Sequence, residues 1–149
     1  MDYVIREIRK ADLPRLIELC KSHADYERVP YDATDKFDSL KSAIFSSNKR
    51  LYCFVVETHS QLIGYYSYTF DFSTWDAKTF MYLDCVYLEP DFRGMRIGEK
   101  IFENLREIAN LNDCMNIQWQ TPAFNKRAIK FYKRIGGKGK DKIRFFINL

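Results

Sequence analysis

The sequence is poor in the features that membrane proteins, metalloproteins and disulfide-stapled domains need. It contains no apolar run approaching the roughly 20 residues of a membrane helix, and no basic start followed by an apolar stretch. The four cysteines (Cys20, Cys53, Cys85 and Cys114) stand singly, with neither a CxxC spacing nor paired histidines nearby. Neither a metal site nor a disulfide framework is therefore expected. We expect a cytoplasmic protein with free thiols, without a metal and without a membrane partner.

The composition that remains is typical of one globular domain. Apolar residues make up 46% and charged residues 30% of the chain, and the length suits a single domain over residues 1–149. The net charge of +4 is unevenly spread, with five acids between Asp25 and Asp38 and nine bases between Lys126 and Arg144. Either these stretches face a cationic substrate and an anionic cofactor, or both are solvated surface. No recognition motif accompanies the bases, so no nucleic-acid partner is expected.

The spacing of apolar residues predicts a mixed α/β fold with helices on the faces of a sheet. The predicted strands are residues 3–8, 51–57, 62–72, 79–88, 116–121 and 143–147, of which the second and third form a hairpin. The first predicted helix begins after Asp12, whose side chain offers a cap, and the second begins at Thr34 or Asp35 and ends near Phe45. The last two predicted helices span residues 97–111 and 125–135.

The sharpest local pattern is a glycine-bearing loop between a predicted strand and a predicted helix. Its sequence is Leu88-Glu89-Pro90-Asp91-Phe92-Arg93-Gly94-Met95-Arg96-Ile97-Gly98. Free N–H groups and the dipole at a helix start attract anions, and glycines let a phosphate approach the backbone closely. The loop lacks the Gly-Lys-Ser/Thr ending of a nucleotide P-loop and the GxGxxG of a dinucleotide fold. The alternative is an ordinary strand-to-helix turn.

The spacing Arg93-x-x-Arg96-x-Gly98 resembles the cofactor loop of the GNAT family of N-acetyltransferases, whose pattern is Gln/Arg-x-x-Gly-x-Gly/Ala. Arg96 departs from that pattern, because glycine is commonest at its position. The chain also carries a stretch similar to the family's second cofactor element, Asn-x-x-Ala-x-x-Phe-Tyr and then a glycine. That stretch reads Asn125-Lys126-Arg127-Ala128-Ile129-Lys130-Phe131-Tyr132, followed by Ile135-Gly136.

Within this family the chain is most similar to the spermidine/spermine (diamine) and thialysine N-acetyltransferases. The similarity rests on Tyr26-Glu27, Phe70-Asp71 with Trp75, Tyr82-Leu83-Asp84 and Phe131-Tyr132-Lys133-Arg134. The resemblance implies a mixed, mostly antiparallel central sheet of about six to seven strands flanked by about four helices. It also implies acetyl-CoA as cosubstrate, an amine as acceptor and a homodimer.

Acetyl transfer to an amine needs a base, because an alkyl ammonium of pKa about 10.4 is mostly protonated at neutral pH. The resemblance gives that role to Asp84, directly or through water, where glutamate is usual. It makes Tyr132 the general acid for the leaving CoA thiolate, and it implies that a backbone N–H between Val86 and Leu88 meets the oxyanion. The implied cofactor-binding residues are Val86, Tyr87, Leu88, Arg93, Gly94, Met95, Arg96, Ile97, Gly98, Glu99, Asn125, Lys126, Arg127 and Ala128. The implied amine-binding residues are Tyr26, Glu27, Asp84, Gln118, Trp119 and Gln120.

Several of these residues also fit structural roles. Asp84 could face solvent or pair with a lysine, Tyr132 could be a core aromatic, and Asn125 could cap a helix. Trp119 could stack on an amino acid, a sugar or an antibiotic, or it could pack in the core. His23 lies near a helix end and fits a surface or capping residue better than a catalytic base.

Three functions remain open on the sequence. The first is a small-molecule amine acetyltransferase that works through a ternary complex, and polyamines are one candidate substrate class. Cys85, however, stands where diamine acetyltransferases carry an acid. The second is an acetyltransferase for protein lysines, N-termini or an aminoglycoside-type antibiotic, and the third is a non-catalytic acetyl-CoA-binding module. The presence of both Tyr132 and Asp84 favours an enzyme over the last of these.

Overall fold

The computed structural model describes residues 1–149, which form five strands and four helices. The strands are β1 (Val4–Glu7), β2 (Tyr52–Thr58), β3 (Gln61–Ser73), β4 (Lys78–Leu88) and β5 (Ile117–Gln118). The helices are α1 (Leu13–Tyr26), α2 (Lys36–Phe45), α3 (Ile97–Leu111) and α4 (Lys126–Arg134). Two short 3-10 turns, Lys10–Asp12 and Pro90–Phe92, precede α1 and follow β4. No helix is both long enough and apolar enough to span a membrane.

The five strands form one sheet in sequence order. Neighbouring strands from β1 to β4 are antiparallel, and β5 joins β4 in parallel. Because successive side chains of a strand point to opposite faces, the sheet separates two buried cores. The core beneath α1 and α2 contains Ile8, Leu13, Leu16, Leu19, Ile44, Cys53, Val55, Leu62, Tyr65 and Tyr87. The core beneath α3 contains Val56, Ile63, Tyr66, Tyr68, Met81, Leu83, Ile97, Ile101, Phe102, Leu105 and Ala109.

This architecture confirms the mixed α/β prediction but corrects the strand count from six or seven to five. The predicted strand 143–147 is wrong, because residues 138–149 form no regular structure. Ile143, Phe145 and Ile147 are 81–88% exposed there. A strand exists only where another strand pairs with it, and no strand of this chain does so. The predicted strand 116–121 is reduced to the two residues of β5 for the same reason.

Asp12 occupies the position before α1, as predicted, but its side chain does not cap the helix. Its two carboxylate oxygens instead accept hydrogen bonds from Arg6 Nη1 at 2.7 Å and Nη2 at 3.1 Å, and one also accepts from the Arg9 amide. Arg6 Nε reaches Glu57 on β2 at 2.6 Å. The hydrogen bonds from Arg6 lower the pKa of Asp12. The carboxylate therefore fastens the start of α1 to the first two strands.

A bulge interrupts the pairing of β3 with β4 beside the predicted base. Ser67 lies opposite Cys85 and Tyr68 lies opposite Leu83, so Asp84 is an extra residue with no partner on β3. A bulge changes the alternation of side chains beyond it. Leu83 packs in the core beneath α3, whereas Tyr87 packs in the core beneath α1. The Cys85 thiol lies 3.6 Å from a carboxylate oxygen of Asp84.

Candidate active site

One cavity of about 400 Å³ lies between the end of α1, the end of β4, the following loop and α4. Basic side chains outnumber acidic ones in its wall. The bases are Arg93, Arg96, Arg127, Lys130 and Arg134, and the acids are Glu27 and Glu99. Arg134 donates a hydrogen bond to Glu99 at 2.8 Å. The other four bases form no salt bridge with an acid of the wall. Such a wall attracts an anionic ligand.

The glycine-bearing loop forms one side of this cavity and turns directly into α3. Gly94 and Arg96 have φ values of +84° and +61°, in the left-handed region that favours glycine. This conformation explains why glycine suits the position that Arg96 occupies. At Gly98 a Cβ atom would lie 2.9 Å from the ring of Phe131, so the absence of a side chain lets α3 approach α4 closely.

The end of β4 is open on the side where β5 would continue. The two strands pair only at Met81 with Ile117 and at Tyr82 with Gln118. Beyond the bulge they separate, and residues 86–88 of β4 line the cavity instead. Arg93 Nε donates to the Leu88 carbonyl oxygen at 2.8 Å, which ties the loop to the strand end. A strand edge without a neighbouring strand leaves backbone groups available to a ligand.

Asn125 joins the two helices that border the cavity. Its side-chain oxygen accepts from the Ala128 amide at 3.3 Å, as a helix cap does, and from the Tyr26 hydroxyl at 2.9 Å. Its Nδ2 donates to Thr121 Oγ1 at 3.2 Å. Arg28, just past α1, lies over the ring of Phe124 at 4.1 Å. The end of α1 and the start of α4 are thereby held together across one side of the cavity.

Tyr132 reaches the cavity from α4 and rests on a cluster of aromatic rings. Its ring lies 5.8 Å from that of Phe102 and 5.4 Å from that of Trp119. Burial raises the pKa of Tyr132 to about 12, and the negative charge of Glu27 adds to this effect. The phenol is consequently protonated at neutral pH and is able to donate a proton.

Comparison with known proteins agrees with this geometry. The family model described as the acetyltransferase (GNAT) family matches residues 5–137. The chain belongs to this family. The thialysine N-epsilon-acetyltransferase of Bos taurus is 29% identical over 141 residues, covering 89% of this chain and 82% of the relative. The spermidine/spermine N(1)-acetyltransferase-like protein 1 of Homo sapiens is 27% identical, covering 91% of this chain and 21% of the relative.

Solved structures show the same fold at low sequence identity. A possible acetyltransferase from Clostridium difficile 630 superposes with a TM-score of 0.82 at 17% identity, covering 99% of this chain and 97% of that one. An aminoglycoside N-acetyltransferase in complex with CoA gives a TM-score of 0.81 at 15% identity, covering 99% and 95%. The present chain is thus an N-acetyltransferase with a GNAT fold.

Most of the predicted site residues of the acetyltransferase line the cavity. They are Tyr26, Glu27, Val86, Tyr87, Leu88, Arg93, Gly94, Arg96, Gly98, Glu99, Asn125, Arg127, Ala128 and Tyr132. Those that do not line it are Asp84, Met95, Ile97, Lys126, Gln118, Trp119 and Gln120.

Several residues outside the cavity have evident structural roles. Ile97 is 1% exposed in the core beneath α3, and Trp119 packs against Phe102. Gln120 Nε2 donates to the Tyr82 hydroxyl at 2.8 Å. Of the roles that the sequence leaves open for Trp119, the structure shows packing against the core. Asp84 is exposed on its bulge, outside the cavity wall.

Four residues of the cavity wall were not predicted to belong to the site: His23, Lys130, Phe131 and Arg134. On α4 the signal was helical spacing, because Lys130 and Arg134 follow Arg127 at three and seven residues and share its face. His23 precedes Glu27 by one helical turn, which likewise puts both on one side of α1. No group of three or more His, Cys, Asp or Glu side chains is gathered as metal ligands.

Proposed function

We propose that this acetyltransferase moves an acetyl group from acetyl-CoA onto a primary amine of a small molecule, such as thialysine or a polyamine, in a ternary complex. The observation that carries the proposal is the meeting of three features in one cavity. These are a protonated phenol at Tyr132, a carboxylate at Glu27 and a predominantly basic remaining wall. The phenol suits the leaving thiolate, the carboxylate suits an ammonium and the bases suit the phosphates of CoA.

Acetyl-CoA fits the part of the cavity built by the loop and α4. Gly94 adds no side chain to the loop and faces open space, and the start of α3 offers free N–H groups to a pyrophosphate. The bases at positions 127, 130 and 134 supply positive charge for further phosphate. The open edge of β4 at residues 86–88 offers backbone groups to the pantetheine arm and an N–H to the oxyanion.

In the proposed reaction the neutral amine attacks the thioester carbonyl carbon, and the C–S bond breaks as the C–N bond forms. Asp84 accepts the proton that the ammonium loses before the attack, and Tyr132 gives its phenolic proton to the departing CoA sulfur. Once the C–N bond has formed, the nitrogen still carries one surplus proton, and this proton passes to the Tyr132 phenolate and restores the phenol. Asp84 stands outside the cavity wall, which favours transfer through a water molecule over direct contact. Tyr26 and Glu27 bind the amine.

We propose further that the enzyme is a homodimer and that it works in the cytoplasm. All four cysteines are free thiols, which suits a reducing compartment. The apolar side chains between residues 143 and 149 are highly exposed in the single chain. Burying such a segment against a second copy would remove this apolar surface from water.

Release of CoA from acetyl-CoA, measured with spermidine, putrescine, thialysine, lysine, aminoglycosides and a lysine peptide, tests the proposed activity. We expect turnover with a small amine, reduced about 100-fold or more in Tyr132→Phe and in Asp84→Asn. Matched controls are Tyr3→Phe and Asp71→Asn, which lie outside the cavity wall and should retain activity. Turnover of the peptide alone would refute the small-molecule substrate. Unchanged rates in the first two variants would refute the assigned acid and base.

A further inference from the structure

His23 lies in the cavity wall with both ring nitrogens engaged. Its Nε2 is 3.2 Å from Oε1 of Glu27, the residue that follows α1, and its Nδ1 is 2.9 Å from the Tyr65 hydroxyl on β3. Its ring stacks on Tyr87 of β4 with centroids 5.2 Å apart. The His23 side chain is 13% exposed and that of Glu27 is 29% exposed, so the histidine is the more buried of the two.

The partners of the imidazole determine its tautomer. A carboxylate can only accept, so Nε2 carries the hydrogen and donates it to Glu27. Burial raises the pKa of the Tyr65 phenol far above its usual range, so this hydroxyl keeps its proton and donates to Nδ1. The neutral ring therefore accepts a hydrogen bond from Tyr65 on the sheet and donates one to Glu27 at the cavity. This chain of hydrogen bonds restricts the Glu27 carboxylate.

Charged and titratable groups surround His23 on every element that packs against it. They are Glu27 at the C-terminal end of α1, Tyr65 on β3, Asp84 and Tyr87 on β4, and Arg93 in the loop. Burial lowers the pKa of His23 below its usual value, while the charge of Glu27 acts in the opposite direction. The ring is accordingly neutral at neutral pH, and the Glu27 carboxylate keeps its negative charge uncompensated by the histidine.

We propose that His23 is a positioning residue for the amine substrate, holding the Glu27 carboxylate in the orientation that receives the substrate ammonium. This inference rests on the proposed function of the cavity. A carboxylate on a flexible side chain binds a cation more tightly when a second group restricts it beforehand. The contribution of His23 falls on amine binding, whereas acetyl-CoA binding and the chemical step depend on other residues.

Protonation of His23 would disturb this arrangement. The added proton at Nδ1 would face the Tyr65 hydroxyl as a second donor, and the positive ring would neutralise Glu27. The cavity would then attract an ammonium less strongly. Because burial lowers the pKa of His23, the ring is still neutral at the usual histidine value of about 6.5, and the KM for the amine should rise only at pH values below it.

The experiment measures kcat, KM for the amine and KM for acetyl-CoA between pH 5 and 8, with the best amine of the panel, for the wild-type protein and three variants. His23→Gln keeps a donor that can reach Glu27 but does not titrate. His23→Asn is too short to reach that carboxylate, and His23→Phe keeps an aromatic ring against Tyr87 without either hydrogen bond. The variants His23→Asn and His23→Phe are also combined with Glu27→Gln.

At neutral pH we expect the amine KM to rise about tenfold in His23→Asn and His23→Phe and less than threefold in His23→Gln, with kcat and the acetyl-CoA KM nearly unchanged. The acid-side rise in amine KM should be present in the wild-type protein and absent from His23→Gln. In the Glu27→Gln background, the His23 substitutions should have no further effect on amine KM.

Two results would overturn the inference while leaving the proposed function intact. One is an unchanged amine KM in both His23→Asn and His23→Phe. The other is the same acid-side rise in His23→Gln as in the wild-type protein. If the wild-type protein turns over no amine, the proposed function fails and the role of His23 fails with it. Loss of folding in His23→Asn alone would leave His23→Phe and His23→Gln to decide.

Discussion

Replacing Asn125 by alanine should destabilise the protein markedly, because one side chain makes three hydrogen bonds while it is 7% exposed. Loss of the cap on the Ala128 amide costs about 1 kcal/mol. Loss of the bonds to Tyr26 and Thr121 costs about 1 kcal/mol each. We therefore expect the free energy of unfolding to fall by about 3 kcal/mol. Asn125→Asp is the matched control, since a carboxylate still accepts from Ala128 and Tyr26 and loses only the donor to Thr121, for about 1 kcal/mol.

Urea unfolding followed by tryptophan fluorescence measures this difference, because Trp119 lies against Tyr132 at the end of α4. A loss of about 3 kcal/mol corresponds to a midpoint lowered by about 1–2 M urea. The aspartate variant should lie much closer to the wild-type protein. Equal midpoints for the two variants would show that the acceptor role of Asn125 is unimportant, and a loss below about 0.5 kcal/mol in the alanine variant would refute the hydrogen-bond reasoning altogether.

Three further predictions concern other parts of the fold. Gly137→Ala should cost about 1–3 kcal/mol in thermal unfolding, since its Cβ would lie 2.8 Å from the Tyr132 carbonyl oxygen, whereas Gly139→Ala, with nothing within 4 Å, should cost little. The folded protein lowers the pKa of Asp12, so the charged carboxylate stabilises the fold above the usual aspartate value of 3.8, and this stabilisation is lost as the pH falls below that value. In urea unfolding, the difference in stability between the wild-type protein and Asp12→Asn should therefore narrow from pH 7 to pH 3. A constant difference would contradict this reasoning. Removal of residues 143–149 should convert the proposed homodimer to a monomer in sedimentation velocity, and a dimer that survives the truncation would exclude this segment from the interface.

The sequence predicted correctly those helices and strands whose spacing of apolar residues is visible within their own residues. The helix at residues 97–111 agrees with α3 because Ile101 and Leu105 repeat at helical spacing on one buried face. The antiparallel strands around residues 51–72 were likewise found within two residues of their observed ends. The segment 143–147 has the composition of a strand, but pairing depends on a distant partner that composition does not reveal.

The candidate site was predictable to the extent that its residues follow family spacing or helical periodicity. Tyr132 and Asn125 line the cavity as expected. Asp84 lies on a bulge of β4 and outside the cavity wall, and no turn residue or glycine in the sequence indicates that extra residue. His23 is one turn from Glu27, so its approach to the carboxylate was readable, but its contact with Tyr65 depends on how α1 packs over the sheet.

Because of the bulge at Asp84, β4 contributes side chains to both buried cores of the sheet. Leu83, before the bulge, packs in the core beneath α3, the helix that follows the glycine-bearing loop. Tyr87, beyond the bulge, packs in the core beneath α1, where His23 stacks on it. Substitutions in regions without shared partners have nearly additive effects on stability. The buried cores beneath α1 and α3 are therefore able to accumulate substitutions independently, whereas changes at Tyr26, Arg93 or Asn125, which connect the two sides across the cavity, should affect both.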